Sequence, residues 1–284
     1  MNGIILAIIC AAIWAGANIF DKYLIGVKVK SIYGFALLCG IQNLVIGGIA
    51  ALCISWSNIS RVDLLFAALS GALLSINMII YFKLLSKHDV SDIIGLFYAY
   101  PLLTAIISFF FLHERLSIIK YVAVLIIIVG VLLFNKYLKS QSIKFNMLLF
   151  VPYLIISAVY DIFMKVASSS ASPLQGAILN GTALGIVAII LLIPHIKKLR
   201  SEIGNIPYSL VTMFITYLAV IVSFMSLKSI SATFLSAIGA TQPIFCLLFE
   251  KVLSHFEKSI KSTITIEKLV GMILIVGGVV LLSL

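Results

Sequence analysis

The chain has 284 residues, of which 62% are hydrophobic and 11% are charged, and its mean hydropathy is +1.22. Soluble domains are about 45–50% apolar and about 25% charged, so this composition is typical of a membrane protein. Ten membrane-spanning helices of roughly 20 residues would use about 200 residues and leave about 84 for short connections. The composition therefore excludes a soluble enzyme, a disordered chain and a disulfide-stabilised secreted domain.

Ten apolar runs follow one another along the chain. They are about twice as long as the roughly 10-residue strands of a membrane β-barrel, and they do not alternate apolar with polar residues. We therefore predict an all-α membrane protein with ten transmembrane helices. Their predicted bounds are 3–25, 32–56, 62–85, 91–112, 118–138, 145–167, 173–194, 207–227, 231–253 and 266–284. In the seventh, Ser172 is the expected N-cap and Pro173 the expected first helical residue.

The two halves of the chain resemble each other. Pro101 in the fourth run aligns with Pro243 in the ninth, and the fifth and tenth runs both end in aliphatic segments that contain glycine. The segment NIFDK at 18–22 corresponds to DIFMK at 161–165. The ten runs thus divide into two repeats of five. An odd number of spans in each repeat predicts that the second copy is inverted in the membrane, as in many secondary transporters.

A family resemblance lies in the proline run followed by Leu-His-Glu-Arg at 112–115 and a glycine-bearing aliphatic run. This pattern resembles the EamA branch of the drug/metabolite transporter superfamily, which usually has Leu-Gly-Glu-Arg at this turn. Here His113 replaces the glycine, and the second copy is looser, with His-Phe-Glu-Lys at 255–258.

The resemblance covers nearly the whole chain. It implies two EamA-like five-helix repeats, residues 1–140 and 141–284. It also implies a transporter of small metabolites, with a central cavity lined by spans one, three, four, six, eight and nine. Members of the family are usually drawn with both termini in the cytoplasm.

Asp161 is the first candidate site residue, because ionisable groups inside a membrane span are costly and tend to be functional. Lys165 lies one helical turn later on the same face. In one interpretation, Asp161 attracts a cationic group or exchanges a proton, and Lys165 is its partner or its competitor. Alternatively, the two form a structural ion pair near the end of the span. Asn18 and Lys22 have the equivalent spacing in the first span, whereas Asp21 is expected to be structural.

Aromatic and amide side chains accompany Asp161 in the spans. They could hold a cation against aromatic faces or stack with an aromatic metabolite. Some of them, such as Tyr81 and Tyr153, could instead belong to an interfacial belt or to the packing. The predicted substrate-binding residues are Trp14, Asn18, Asn77, Tyr81, Tyr98, Tyr160, Asp161, Lys165, Tyr217 and Gln242.

Pro101 and Pro243 are predicted to kink their helices, because each removes one backbone donor and frees roughly the carbonyls of Phe97 and Gly239. Such irregular backbone at membrane depth can line a cavity, or it can be a simple packing kink.

The sequence gives no sign of a cofactor or metal site. His113 and Glu114 lack the second histidine of the HExxH zinc motif. The cysteines occur in apolar runs without a CxxC pair and are expected to be small buried hydrophobes. Gly181 and Gly185 form a GxxxG pair, which we expect to serve internal packing. The four cysteines are Cys10, Cys39, Cys53 and Cys246.

These patterns favour a secondary transporter that works by alternating access around a midplane cavity and carries a small metabolite. An amino acid, an amine and a drug-like compound fit the candidate residues equally well. The alternatives are a membrane-embedded lipid-processing enzyme, for which no catalytic constellation is evident, and a non-transporting scaffold. The expected partners are a small molecule, protons if Asp161 exchanges them, and the lipid bilayer. Nucleic acid is not expected, because no run of basic residues reaches five.

The start of the chain has no basic segment typical of a signal peptide, and we expect a multi-pass protein of the plasma (inner) membrane.

Basic residues predict the orientation of the chain in the membrane. Fifteen Lys and Arg residues lie in or beside the connections after odd-numbered spans and only five on the other side: Arg61, Arg115, Lys120, Lys165 and Lys228. The positive-inside rule places the richer side in the cytoplasm, so we expect both termini outside, opposite to the usual arrangement in the family. A tag at the C-terminus of intact cells should therefore be accessible from outside; a cytoplasmic tag would contradict this orientation.

Overall fold

The computed structural model describes residues 2–87, 97, 100–134, 143–253 and 266–283, and its secondary structure in these ranges is helical throughout. A run of short helical turns over residues 193–205 joins α7 to α8. The helices are α1 (Gly3–Val27), α2 (Ile32–Cys53), α3 (Arg61–Leu85), α4 (Pro101–Phe111), α5 (Ile118–Phe134), α6 (Ile143–Ala167), α7 (Pro173–Leu192), α8 (Ile206–Leu227), α9 (Ala232–Gly239), α10 (Gln242–Leu253) and α11 (Ile266–Ser283).

The helices confirm an all-α membrane protein. In the described ranges, six helical stretches are long and apolar enough to cross a membrane, and one of them, Pro173–Leu227, contains both α7 and α8. Three further apolar helices are shorter: Pro101–Phe111, Ile118–Leu133 and Leu269–Leu282. The number of ten crossings stays a prediction.

Serine side chains begin several of the helices. Ser31, Ser60 and Ser231 each accept a hydrogen bond from a backbone N–H in the first turn of α2, α3 and α9. The predicted cap of α7 is confirmed: Ser172 is the N-cap, Pro173 follows it, and Gln175 completes a capping box. These side chains satisfy the N–H groups that a helix leaves free at its start.

The prolines expected to kink helices lie elsewhere in their helices than predicted. Pro101 is the first residue of α4, and Pro243 is the second residue of α10. The ninth predicted span is broken into α9 and α10 rather than bent. A proline in the first turn loses no helical hydrogen bond, which explains why these helices begin there. The proline inside a described helix is Pro152, in α6.

Helices of the two halves pack against each other in a reciprocal pattern. The pairs with the most extensive packing are α5 with α11, α2 with α7, α3 with α6 and α7, and α1 with α8. The counterparts of α1, α2, α3 and α5 under the sequence repeat are α6, α7, α8 and α11. Exchanging the halves therefore converts the α1–α8 pair into the α6–α3 pair, and it maps the α2–α7 and α5–α11 pairs onto themselves.

Glycines allow the closest of these approaches. A methyl group at Gly185 of α7 would lie 2.6 Å from the Gly40 carbonyl oxygen of α2, and Gly181 faces the ring of Tyr217. The GxxxG pair thus serves internal packing, as expected. In α3, Gly71 lies directly against the Asn180 carbonyl group of α7, so any side chain there would displace the α7 backbone.

The connections after the first and seventh predicted spans meet at one end of the bundle. At this basic end, the buried Glu202 carboxylate accepts hydrogen bonds from the backbone N–H groups of Lys30 (3.1 Å) and Ser31 (2.8 Å). The ammonium group of Lys198 lies 5.2 Å from the centre of the Tyr33 ring. Lys30 and Lys198 therefore lie at the same end of the molecule, whereas the connections after the fifth and ninth spans fall outside the described residues.

Gly277 and Gly278 of α11 are adjacent, but they face different surroundings. A methyl group at Gly278 would lie 2.5 Å from Ile127 Cγ1 and 3.0 Å from the Ala123 carbonyl oxygen of α5, whereas Gly277 has nothing within 4 Å. We expect Gly278→Ala to lower the free energy of unfolding by about 1–3 kcal/mol through overpacking. Gly277→Ala should leave it unchanged or raise it by up to about 1 kcal/mol, since alanine favours helix. Thermal unfolding in detergent measures both; equal midpoints for the two variants would contradict the α5–α11 contact.

Candidate functional site

A cavity of about 180 Å³ lies in the interior of the bundle and is lined by both halves of the chain. Its walls come from α1, α2 and α3 of the first half, and from α6, α7, α8, α9 and the start of α10 in the second. Phe97 and Tyr100, which precede α4, also face it. A cavity of this order can hold a molecule about the size of benzene.

The structure brings most of the predicted site residues together. Their part in binding stays a prediction, but their common location is now an observation. Those that line the cavity are Trp14, Asn18, Asn77, Tyr81, Tyr160, Asp161 and Gln242. Tyr98 falls outside the described residues. Lys165 and Tyr217 are placed elsewhere.

Lys165 ties helix ends together instead of facing the cavity. Its ammonium group donates to the carbonyl oxygens of Leu227 (2.6 Å) and Ile230 (2.8 Å), at and just beyond the end of α8. Lys22, its counterpart in the first repeat, donates to the carbonyl oxygen of Leu85 (3.1 Å) at the end of α3. Because α3 is the counterpart of α8, the two lysines make equivalent contacts. A cation there also complements the negative end of the helix dipole.

Tyr217 lies beside α2 and α7. Its hydroxyl group is 3.5 Å from the Asn43 carbonyl oxygen, and its ring packs on Gly181. With Asn43 and Gly181 it lines a second, much smaller cavity. This location favours a packing role for Tyr217.

Asp161 is buried in the wall of the main cavity, with 5% of its surface exposed. The Tyr100 hydroxyl group lies within hydrogen-bonding reach of its carboxylate. The Oδ2 atom has no hydrogen-bond partner among the described residues, and neither does the nearby hydroxyl group of Tyr160. A buried carboxylate oxygen without a partner is costly, so this atom marks a place where a donor would be stabilised.

Asn77 faces Asp161 from α3. Its Nδ2 atom donates to the hydroxyl group of Ser157 (2.9 Å), which lies one turn before Asp161 on α6. The Oδ1 atom of Asn77 is buried and, in the part of the chain that is described, accepts no hydrogen bond. A second residue of the cavity wall thus has an unsatisfied buried acceptor.

Asp21 is a cavity residue that the sequence reasoning assigned to a structural role. It is buried, faces the cavity and accepts a hydrogen bond from the Thr212 hydroxyl group (3.0 Å). Helical spacing contained the signal. The cavity-facing positions of α1 follow the three-to-four-residue period of one helix face. They are Ala7, Cys10, Ala11, Trp14, Asn18 and Asp21.

Aromatic rings form much of the remaining wall. Tyr153, considered for the interfacial belt or for packing, lines the cavity and stacks on Phe97 with ring centres 3.6 Å apart and planes 20° apart. Tyr81 is next to it, with its ring centre 6.2 Å from that of Phe97. Both tyrosines therefore belong to the cavity wall and to the aromatic packing around Phe97.

The cysteines follow the sequence expectation with one correction. Cys10, Cys39 and Cys246 are buried, but Cys53 is exposed at the end of α2. Cys10 is not simply apolar in its contacts, because its sulfur lies 3.0 Å from the Ser223 hydroxyl group in the cavity wall. Across the described ranges, no group of three or more His, Cys, Asp or Glu residues is placed to hold a metal ion.

The Leu-His-Glu-Arg turn has a backbone reason for glycine at its second position. His113 has a φ angle of 52°, in the left-handed region that favours glycine, and its side chain is exposed. The turn brings Glu114 to the start of α9, where its carboxylate accepts from the Ala232 backbone N–H (3.2 Å) and the Thr233 hydroxyl group (3.4 Å). The turn of the first repeat therefore caps a helix of the second.

The sequence matches the EamA-like transporter family over residues 1–136 and 144–284. The chain belongs to this family. The match covers both halves and agrees with the resemblance found at the proline run and the turn that follows it. Membership makes the chain a multi-pass membrane protein of a transporter family.

Two relatives carry transporter names. The uncharacterized transporter YxxF of Bacillus subtilis (strain 168) is 24% identical over 226 residues, which are 78% of this chain and 70% of the relative. The uncharacterized transporter YvbV of the same organism is 28% identical over 145 residues, about half of each chain (49% and 47%). A solved crystal structure superposes with a TM-score of 0.69 over 98% of this chain and 94% of that chain, at 15% identity, which shows the fold. Family and names indicate a transporter rather than an enzyme.

The two carbonyl contacts of Lys165 predict a structural role that can be separated from binding. Lys165→Met should lower the free energy of unfolding by about 1.5–3 kcal/mol, because hydrogen bonds to a charged donor are lost. Lys228→Met, an exposed lysine just after α8, is the matched control and should change it little. Thermal unfolding of both variants in detergent without ligand measures the difference. Equal midpoints would contradict the capping role.

Proposed function

We propose that the chain is a secondary transporter that carries a small metabolite across the plasma membrane by alternating access around the central cavity. The observation that carries this proposal is that a central cavity, with two carboxylates in a largely apolar wall, is lined by helices of both halves. A substrate held there would contact both repeats, so rocking one half against the other would expose it to each side in turn.

The helix packing supports such a movement. The α1–α8 and α3–α6 pairs, which exchange with each other under the repeat, surround the cavity. Two states related by exchanging the roles of the halves would therefore use similar contacts and have similar energies, which is what alternating access requires. The proposed driving force is either the substrate gradient itself or protons exchanged by Asp161.

The break between α9 and α10 lies at the cavity. Gly239, which ends α9, and Gln242, which begins α10, both face it. Interrupted helices with backbone facing a cavity are typical of transporter binding sites, because the cavity supplies partners for the freed backbone groups.

Filling the cavity should abolish transport. Leu74 lines the cavity and Leu69, on the same helix, is exposed on the outer surface. We expect proteoliposomes with Leu74→Trp to lose uptake of whichever solute the wild type carries, while Leu69→Trp retains it. The solutes to compare are amino acids, amines, sugars and nucleotides, with gel filtration as the check that both variants are folded.

Two outcomes would contradict the proposal. Uptake that survives in a folded Leu74→Trp variant would show that the pathway does not pass through this cavity. Absence of uptake for every solute class, in a wild-type protein that is folded in the liposomes, would contradict the transport function itself.

A further inference from the structure

Two residues of the cavity wall, Asp161 and Asn77, each have one buried acceptor atom without a hydrogen-bond partner among the described residues. These atoms are Asp161 Oδ2 on α6 and Asn77 Oδ1 on α3. Ser157 joins the two residues: it accepts from Asn77 Nδ2 at 2.9 Å and lies one turn from Asp161. The hydrogen-bonding demand of this pocket is therefore for N–H or O–H donors, and for more than one.

The charge of the cavity has one sign. Among the described residues that line it, Asp21 and Asp161 are the only ionisable acids, and Lys, Arg and His are absent. The lysines that share helices with the two acids, Lys22 and Lys165, donate to carbonyl oxygens at helix ends. An anionic substrate would therefore meet two carboxylates without compensation, whereas a cation would supply the missing charge.

The walls around Asp161 are aromatic. Trp14, Tyr100, Tyr153 and Tyr160 line the same cavity, and Phe97 stacks on Tyr153. Faces of such rings attract a cation and also accommodate the apolar body attached to it. A cavity of about 180 Å³ limits that body to about one ring.

We propose that the cavity selects a protonated primary amine with a small apolar or aromatic body, whose ammonium group donates to Asp161 Oδ2 and Asn77 Oδ1. This substrate class rests on the proposed transport function and names what that function carries. The ammonium group has three donors and no acceptor, which matches two unsatisfied acceptors in a cavity that holds negative charge.

Asp161 is the ammonium contact rather than Asp21. The Oδ1 atom of Asp21 already accepts a hydrogen bond from the Thr212 hydroxyl group at 3.0 Å, whereas Oδ2 of Asp161 is buried without a partner among the described residues. A proton bound by Asp161 would satisfy only one of the two acceptors, since Asn77 Oδ1 would still lack a donor. A quaternary ammonium ion would bring positive charge but no N–H group that could donate to Asp161 Oδ2 or to Asn77 Oδ1.

Three matched probes test this choice on the full chain in detergent by isothermal titration. They are 2-phenylethylamine, its neutral N-acetyl derivative and its trimethylated quaternary analogue. We expect the primary amine to bind at least about tenfold more tightly than either of the other two, because only it offers both charge and several donors. Equal affinity of the N-acetyl derivative would overturn the proposal, and equal affinity of the quaternary analogue would overturn the role of the two acceptors.

Variants locate the binding group. Asp161→Asn should weaken the primary amine at least about tenfold, and Asn77→Leu should weaken it while leaving the quaternary analogue unaffected. Asp63→Asn is the matched control, because Asp63 is a carboxylate outside the cavity that accepts from the Ser169 hydroxyl group at 2.6 Å. If Asp161→Asn fails to fold, Asp161→Glu, which keeps the charge and moves it, replaces it with the same expected direction. Unchanged amine affinity in folded variants would overturn the proposal.

Uptake in proteoliposomes separates this proposal from the transport function. If another solute class is carried and blocked by Leu74→Trp, while amines neither bind nor compete, the amine proposal is wrong and the transporter stands. If the amine binds through Asp161 but no solute is carried, the binding site stands and the transport function is wrong.

Discussion

A helix end inside a membrane protein must find hydrogen-bond partners within the protein, and this constraint organises the fold. Backbone groups at a helix end that is packed against other helices have little access to water. The structure meets the requirement with charged side chains that belong to other helices. Lys22 and Lys165 bind the carbonyl ends of α3 and α8, and Glu114 and Glu202 bind the N–H ends of α9 and α2. Because Glu114 and Glu202 each act across the two halves, the same contacts that complete the helices also join the repeats.

This use of charge explains the character of the cavity. The sequence predicts that Lys165, one turn from Asp161, could be the ion partner of that carboxylate. In the structure Lys165 donates instead to carbonyl oxygens at the end of α8, and Asp161 Oδ2 has no partner among the described residues. The bundle is thereby able to keep a negative, incompletely satisfied pocket in its centre. Such a pocket is costly unless a ligand supplies donors, and that cost is the physical basis on which a substrate would be selected.

Much of the fold could be predicted from the sequence, because hydrophobic length and the repeat depend only on residue order. Most predicted bounds agree with the described helices to within a few residues, and Ser172 caps α7 as expected. The exceptions are the fourth span, predicted from residue 91 and described as α4 only from Pro101, and the ninth, which is broken into α9 and α10. The site was harder. Asp21 was predicted to be structural because it is adjacent to Lys22 in the sequence and does not share a helix face with it. Asp21 instead shares a helix face with Trp14, and that face lines the cavity. The contacts of Lys165 depend on where the end of α8 lies in the fold, and the spacing of residues within α6 contains no information about that position.

The α5–α11 pair contributes no described residue to the cavity wall, although its two helices pack together more extensively than any other described pair. Substitutions in the chain therefore fall into two groups, those in helices that line the cavity and those in helices that only pack. Substitutions in the helices that line the cavity act on its shape and on the fold at once, so under the proposed function they are constrained by the solute that a given relative carries. Substitutions in α5 and α11 act through helix packing alone. Paralogues that have diverged in substrate should therefore still resemble one another at this pair, which makes it the better part of the sequence for tracing their descent.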